Sequence, residues 1–429
     1  MMEQIKNIKK PELLIPAGSM DTLKVALDYG ADAVYMGGQK FGLRAKADNF
    51  SLEEMKEAVK YVHSKGKKVY LTVNIFAHND DIEGVRDYFE QMHKIGLDEG
   101  DSAIDALLIS DFGIFTLARE ILPKIDIHIS TQANNTNYMT YNFWYKMGAT
   151  RVVAARELSL KEIKKIRENI PEDMEIESFM HGAMCISYSG RCLLSSYFTG
   201  RDANKGACTH PCRWKYAVVE EKRPGEYLPV EEDERGTYIF NSKDLCMIEY
   251  IPEMIEAGID SFKVEGRMKT ALYVAAVTRT YRKAIDDYFE SEEKYRQNMQ
   301  YYKAEIAACT YRQFTTGFYF HKPNEETQIY DSNTYVNNYT YLGCIEDVKE
   351  INGEELIVIH QKNKFLVGDT ISIMGFLDKN YDVKVEAIYD EKMTPMESAP
   401  HPKQLLYISL NDVKDIKKGM IMRARHCEV

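Results

Sequence analysis

The sequence predicts an α/β protein: a TIM-like (β/α)8 barrel with a cysteine-rich insertion, followed by a small all-β barrel domain. Three observations predict it. Over the first two-thirds, short apolar strands bounded by small residues alternate with amphipathic stretches that end in glycine or lysine. Roughly eight such units occur without hairpin turns between them, which points to a parallel sheet closed as a barrel. From Tyr341 onward the pattern changes to alternating strands separated by tight turns. An open doubly wound sheet is the alternative, but no G-x-G-x-x-G follows the first strand.

The elements read in order. Pro11–Gly18 (PELLIPAG) leads into a helix over Asp21–Tyr29, and Ala31–Gly37 is the next strand. Helix Leu52–Lys65 stops at Gly66, strand Lys68–Ile75 follows, and helix Ile82–Leu97 precedes strand Ala106–Ser110. Further strands are expected at Ile125–Thr131, Arg151–Ala155, Glu175–Met180 and Ser261–Glu265, and a helix at Leu272–Glu290. The barrel domain is expected over residues 1–295, with the cysteine segment at 181–216. Residues 296–338, rich in Tyr, Thr and Asn, read as a linker, and 339–429 as the β-barrel.

Composition narrows the function classes. Of 429 residues, 45% are hydrophobic and 28% charged, ordinary globular values. No apolar run is long enough for a signal peptide or a membrane span, so a cytoplasmic location is expected. Eight cysteines without a secretion signal argue for metal ligation in a reducing compartment. The net charge of −11 argues against a protein coated in nucleic acid but leaves room for a local RNA site.

Four cysteines, Cys185, Cys192, Cys208 and Cys212, follow the pattern C-x6-C-x15-C-x3-C within one glycine-rich segment. Thiolates in such a set select zinc or an iron–sulfur cluster. Structural zinc favours tighter paired spacings, so the loose first pair leans toward iron–sulfur. Interleaved with them are Arg191, Arg201, Lys205, Arg213 and Lys215, with Tyr188, Tyr197, Phe198, Trp214 and Tyr216. Cations hold phosphates and aromatics stack unpaired bases, which suits single-stranded RNA. The bland alternative is the buried and solvated rim of a metal loop.

In a barrel, residues at the C-terminal ends of strands line the active-site mouth. Here these are Asn74, Ser110 and Asp111, Thr131 and Gln132, Arg156 and Glu157, His181, then Glu265 and Arg267. Arg156, Arg267 and Lys263 are the cations available for a carboxylate-bearing substrate, arginine being able to grip it bidentately. The cysteine segment starts at the end of strand Glu175–Met180, which places a metal centre beside this pocket.

The residues PELLIPAG, STQ (Ser130–Gln132), ARELSL (Ala155–Leu160), ESFMHGAMCISYSGRCLLSSY (Glu177–Tyr197), GACTHPCRWKY (Gly206–Tyr216), NSKDLC and SFKVEGRMK resemble the peptidase U32 (collagenase-like) family. The resemblance covers nearly the whole chain and is strongest to the RNA-hydroxylating type with a small C-terminal domain. It implies an oxygen-independent tRNA hydroxylase that forms 5-hydroxyuridine at the wobble position, with a [4Fe–4S] cluster and prephenate as oxygen donor. By that resemblance Cys185, Cys192 and Cys208 are cluster ligands; Cys212 or Cys246 supplies the fourth. Catalytic roles are expected for His181, Arg156, Glu265 and Arg267. Substrate contacts are expected from Asn74, Gln132, Lys263, Arg201, Lys205, Arg213, Trp214 and Lys215, the last group on the anticodon arm. The rival reading is a peptidase, in which Cys185 and His181 form a pair. H-E-x-x-H and G-x-S-x-G are both absent, and thiols committed to a cluster are poor nucleophiles. A third reading is a non-catalytic iron–sulfur RNA-binding factor.

Overall fold

The computed structural model describes residues 9–44, 47–185, 187, 189–214, 243–321, 336–377, 379–412 and 414–425, with four two-residue strands between 218 and 237. Lys215, Tyr216, Cys427 and the side chain of Arg213 lie outside the described residues.

Eight parallel strands close the barrel: β1 (Glu12–Pro16), β2 (Ala33–Gly37), β3 (Lys68–Val73), β4 (Ala106–Ile109), β5 (Asp126–Ile129), β6 (Arg151–Val153), β7 (Glu175–Ala183) and, after β8, the strand β9 (Ser261–Val264). Each pairs with the next, and β9 joins both β1 and β7, so no edge remains open. Helices α1 (Met20–Asp28), α2 (Leu52–Ser64), α3 (Asn79–Lys94), α4 (Phe112–Ile121), α5 (Tyr138–Lys146) and α6 (Leu160–Arg167) follow the first six strands. Two of their starts are written in the sequence as S-x-x-E. Ser51 Oγ accepts from Glu54 N while Glu54 Oε2 accepts from Ser51 N, and Ser159 with Glu162 repeats the arrangement. Asp111, read as a mouth residue, caps α4 through the amides of Gly113 and Ile114.

Strand β8 (Asp244–Cys246) is an addition that the periodicity did not reveal. It runs antiparallel to the end of β7, placing Cys246 opposite His181. A further strand, β10 (Phe314–Thr315), pairs with β8 and comes from the stretch expected to be a linker. Arg312 there makes a buried ion pair with Asp244, Nη2 to Oδ1 2.7 Å, and Tyr319 hydrogen-bonds Ser178 at 2.7 Å. Two-residue strands carry too little periodicity to be seen in a sequence. Within the expected linker, Met299–Ile306 is helical.

By its internal contacts the chain divides into two units, one of Met1–Leu23, Asp32–Met268 and Arg312–Tyr335, the other of Lys24–Ala31, Lys269–Tyr311 and Val336–Val429. The boundary thus falls at Met268, before the helix Ala271–Glu290, where the sequence reading set it at 295. In the second unit six antiparallel strands close a barrel: β11 (Tyr339–Ile351), β12 (Glu354–His360), β13 (Thr370–Met374), β14 (Asn380–Tyr389), β15 (Leu405–Leu410) and β16 (Ile421–Arg425). Leu342, Ile357, Ile373, Val385, Leu406 and Met422 fill it.

The first barrel's interior is charged at its lower end. Arg151 at the start of β6 donates to Glu12, Glu175 and Glu177, and Lys263 Nζ donates to Glu177 Oε1 at 2.6 Å. Tyr70 and Ser261 add hydroxyl donors to Glu12. Removing Arg151 leaves three carboxylates without their shared cation, so Arg151→Ala should lower the free energy of unfolding in urea by about 3–5 kcal/mol. A loss below about 1 kcal/mol would show that the network behaves like a surface pair.

Candidate active site at the barrel mouth

The strand-end rule brings Glu265, Arg156 and Arg267 together, and adds one residue that the sequence reading missed. The Glu265 carboxylate, just past β9, lies 3.4 Å from Arg44 Nη2 and 3.8 Å from Arg156 Nη2. Arg156 also stacks over the Phe179 ring, 3.9 Å from its centroid. Arg267 is buried and donates from Nη1 to Thr72 Oγ1 at 2.9 Å. Burial raises the Glu265 carboxyl, but the Arg44, Arg156 and Arg267 guanidinium groups outweigh it and hold it below the usual carboxylate range. Burial lowers the Arg267 guanidinium to about 10, the mark of a cation short of solvent and counter-charge.

Two glycines in the sequence motifs make room for this cluster. A Cβ on Gly37 would stand 1.7 Å from Arg267 Nη1, and one on Gly18, the end of PELLIPAG, 2.2 Å from the Arg267 carbonyl oxygen. Tyr35 completes the wall, its hydroxyl donating to the Val264 carbonyl at 2.9 Å.

Lys263 requires a correction. The period-two repeat of a strand puts it on the same face as Glu265 but one layer deeper, where it pairs with the fully buried Glu177. Its ammonium also lies over the Tyr35 ring at 4.5 Å and the Phe179 ring at 5.6 Å, directly beneath the arginine cluster. Asn74 is likewise engaged: Oδ1 accepts from Leu43 N at 3.1 Å and Nδ2 donates to Ser130 Oγ at 3.2 Å, which anchors the loop carrying Arg44. His181 is buried within β7, its ring 5.7 Å from that of Phe314.

The cysteine segment covers the mouth. Glu157 Oε1 accepts from Ser189 N at 3.1 Å, and Gly190 packs on Gln132 and Phe76 so closely that a Cβ would meet the Gln132 carbonyl at 2.5 Å. Gly206, with φ +86°, packs on the backbone of Gly42, Leu43 and Arg44. Arg191 lies over Phe76, and Lys205 Nζ pairs with Asp81 of α3 at 2.7 Å. Lys205, expected on phosphate, is therefore a strap between this segment and the barrel. Arg201 is exposed, and a short helix, α7 (Leu194–Thr199), presents Tyr197, 83% exposed, beside Phe198, whose ring lies 6.0 Å from that of Trp214. Trp214, one of the two expected stacking residues, is 40% exposed; the other, Tyr216, lies outside the described residues.

Cys185, Cys192, Cys208, Cys212 and Cys246 are not in disulfides, and each has some exposure. Among the described residues, no three Cys, His, Asp or Glu side chains converge on one metal position. The donor set still fits an iron–sulfur cluster in kind: four of the thiols come from the segment over the mouth, Cys246 comes from β8, and none is in a disulfide. Cys185 and Cys208 both lie within electrostatic reach of Arg44, and Cys208 Sγ already accepts from His210 N at 3.4 Å.

The model of peptidase family U32 matches residues 18–329, and that of the family's C-terminal domain matches 337–423. The chain belongs to peptidase family U32. Within the family it is 39% identical over 415 residues to tRNA hydroxylation protein P1 of Bacillus subtilis, covering 97% of this chain and 95% of the relative. It is 35% identical to tRNA hydroxylation protein P of Escherichia coli, over 96% and 97% of the two chains. An uncharacterized protease of Methanocaldococcus jannaschii is 41% identical over 85% of this chain and 86% of its own.

The depressed Glu265 carboxyl sets a pH dependence. A folded-state value below the ordinary one stabilises the fold above the ordinary carboxylate range and loses that effect as pH falls through the folded value. The melting-temperature gap between wild type and Glu265→Gln should be full above roughly pH 4.3 and close below it. A gap that instead widens in acid would contradict the arginine contacts.

Proposed function

We propose that this U32 protein is an RNA hydroxylase that forms 5-hydroxyuridine at the wobble position of tRNA, holding a [4Fe–4S] cluster and taking prephenate as oxygen donor. The observation that supports the reading is the arginine cluster around Glu265 at the strand ends, on which the segment carrying four cysteines and an exposed aromatic group is seated. A small dicarboxylate, a soft metal centre and an unpaired base are each matched by residues there. The names carried by the Bacillus subtilis and Escherichia coli relatives support the same reaction class.

In this reading Arg156 binds a carboxylate of the donor, Arg267 stands behind it on Thr72, and Glu265 is the internal counter-ion of the site. Phe179 and Tyr35 are buried beneath these groups, with Arg156 over the Phe179 ring and Lys263 over the Tyr35 ring. Cys185, Cys192 and Cys208, with Cys212 or Cys246, would hold the cluster, which when bound supplies a one-electron centre next to the pocket. Trp214 with Phe198 and Tyr197 offers the surface on which a base from a single-stranded loop stacks, and Arg201 an adjoining phosphate contact. The C5 edge of a pyrimidine is open in such a loop without breaking a base pair.

The peptidase reading draws on one observation, the placement of Cys246 opposite His181 in the β7–β8 ladder. His181 is buried there, which suits a packed ring better than a base meeting a peptide. Cleavage of casein by the anaerobically purified protein, abolished by Cys246→Ala, would favour that reading.

Two measurements test the proposal. Mass spectrometry of tRNA nucleosides from a strain lacking the gene should show loss of 5-hydroxyuridine-derived nucleosides, and an unchanged profile would reject the reaction. Anaerobically purified protein should be brown, with about four iron per chain, and Cys185→Ala or Cys192→Ala should be colourless. Stoichiometric zinc without iron would reject the cluster.

A further inference from the structure

Arg44 stands apart from the other mouth residues in three respects. Its backbone adopts φ +77°, the left-handed region that a side-chain-bearing residue other than Asn or Asp enters only when its surroundings enforce it. Those surroundings are visible. Asn74 holds Leu43, Gly206 of the cysteine segment presses on the Arg44 amide, and Asn49 Nδ2 donates to the Arg44 carbonyl at 3.4 Å. The loop is clamped from below by the barrel and from above by the cysteine segment, and what the clamp fixes is the direction of one guanidinium.

Its side chain is also the most exposed of the three. The Arg44 side chain is 35% exposed, against 10% for Arg156, and Arg267 is buried and already donates to Thr72. Its contact with Glu265, at 3.4 Å, is longer than a tight charge-assisted hydrogen bond, so donors remain for a second acceptor. Glu265 is shared among Arg44, Arg156 and Arg267, so no one of these guanidinium groups has a carboxylate to itself.

We infer that Arg44 is the specificity-determining residue for a dianionic ligand: it grips the second carboxylate of a small dicarboxylate whose first carboxylate is held by Arg156. Glu265 is then an internal counter-ion with which the ligand competes. The inference rests on the co-substrate reading above, and adds the residue that separates a dicarboxylate from a monocarboxylate.

The test is isothermal titration of the anaerobically purified full-length protein with phenylmalonate and, separately, phenylacetate, which share a ring and differ by one carboxylate. Wild type should bind phenylmalonate well ahead of phenylacetate. Arg44→Gln should weaken phenylmalonate by at least about thirtyfold and leave phenylacetate within about threefold, erasing the preference. Glu265→Gln, which removes the competing carboxylate, should tighten phenylmalonate. Arg44→Lys keeps the charge in the clamped loop and covers the case in which Arg44→Gln fails to fold; it should bind phenylmalonate more weakly than wild type, because the two-pronged grip is lost. Equal weakening of both probes, or of neither, in the folded Arg44 variant would overturn the inference. Wild-type protein that binds neither probe while still binding tRNA would instead remove the co-substrate reading itself.

Discussion

The mouth of this barrel depends on one electrostatic constraint: guanidinium groups taken out of water must face negative charge. Arg267 is buried, Arg156 nearly so, and Glu265 is the carboxylate that answers both and Arg44 as well. The surrounding sequence is arranged to permit it. Gly18 and Gly37 leave the space that Arg267 occupies, Thr72 supplies its hydroxyl acceptor, and Asn74 fixes the loop from which Arg44 projects.

The lower half of the barrel solves the same problem differently. There Arg151 and Lys263 are matched by Glu12, Glu175 and Glu177, with hydroxyl groups from Tyr70 and Ser261 filling the remaining acceptors. The contrast between a matched interior and an unmatched mouth follows the usual division of a barrel into a stabilising face and a reactive face. The cysteine segment lies at the C-terminal ends of the strands: Gly190 and Gly206 seat it on Gln132 and on the Arg44 loop, and the Lys205–Asp81 pair straps it to α3.

Much of this was legible in the sequence because the signals are periodic or chemically specific. The eight barrel strands and the six of the second barrel appear where apolar runs and turn residues place them, and Arg156, Glu265 and Arg267 meet because strand ends share one face. Lys263 was misplaced because counting strand ends does not resolve layers: two residues along a strand is one layer down. Arg44 was missed because it sits in a loop, where no period applies, and its left-handed backbone is imposed by Asn74 and Gly206 from other parts of the chain. Strands β8 and β10 were hidden by their length, and the partner of Asp244, Arg312, by the weak pattern of the segment that carries it.

The central claim, that one mouth joins an anion pocket, a soft metal centre and an RNA base, is tested most directly by reconstitution. Anaerobically purified protein would be incubated with unmodified tRNA and prephenate in water labelled with heavy oxygen, and the wobble uridine analysed by mass spectrometry. The account predicts one added oxygen atom that appears only when prephenate is present and carries no label from water. A hydroxylated uridine formed without the dicarboxylate, or carrying oxygen from the solvent, would contradict it.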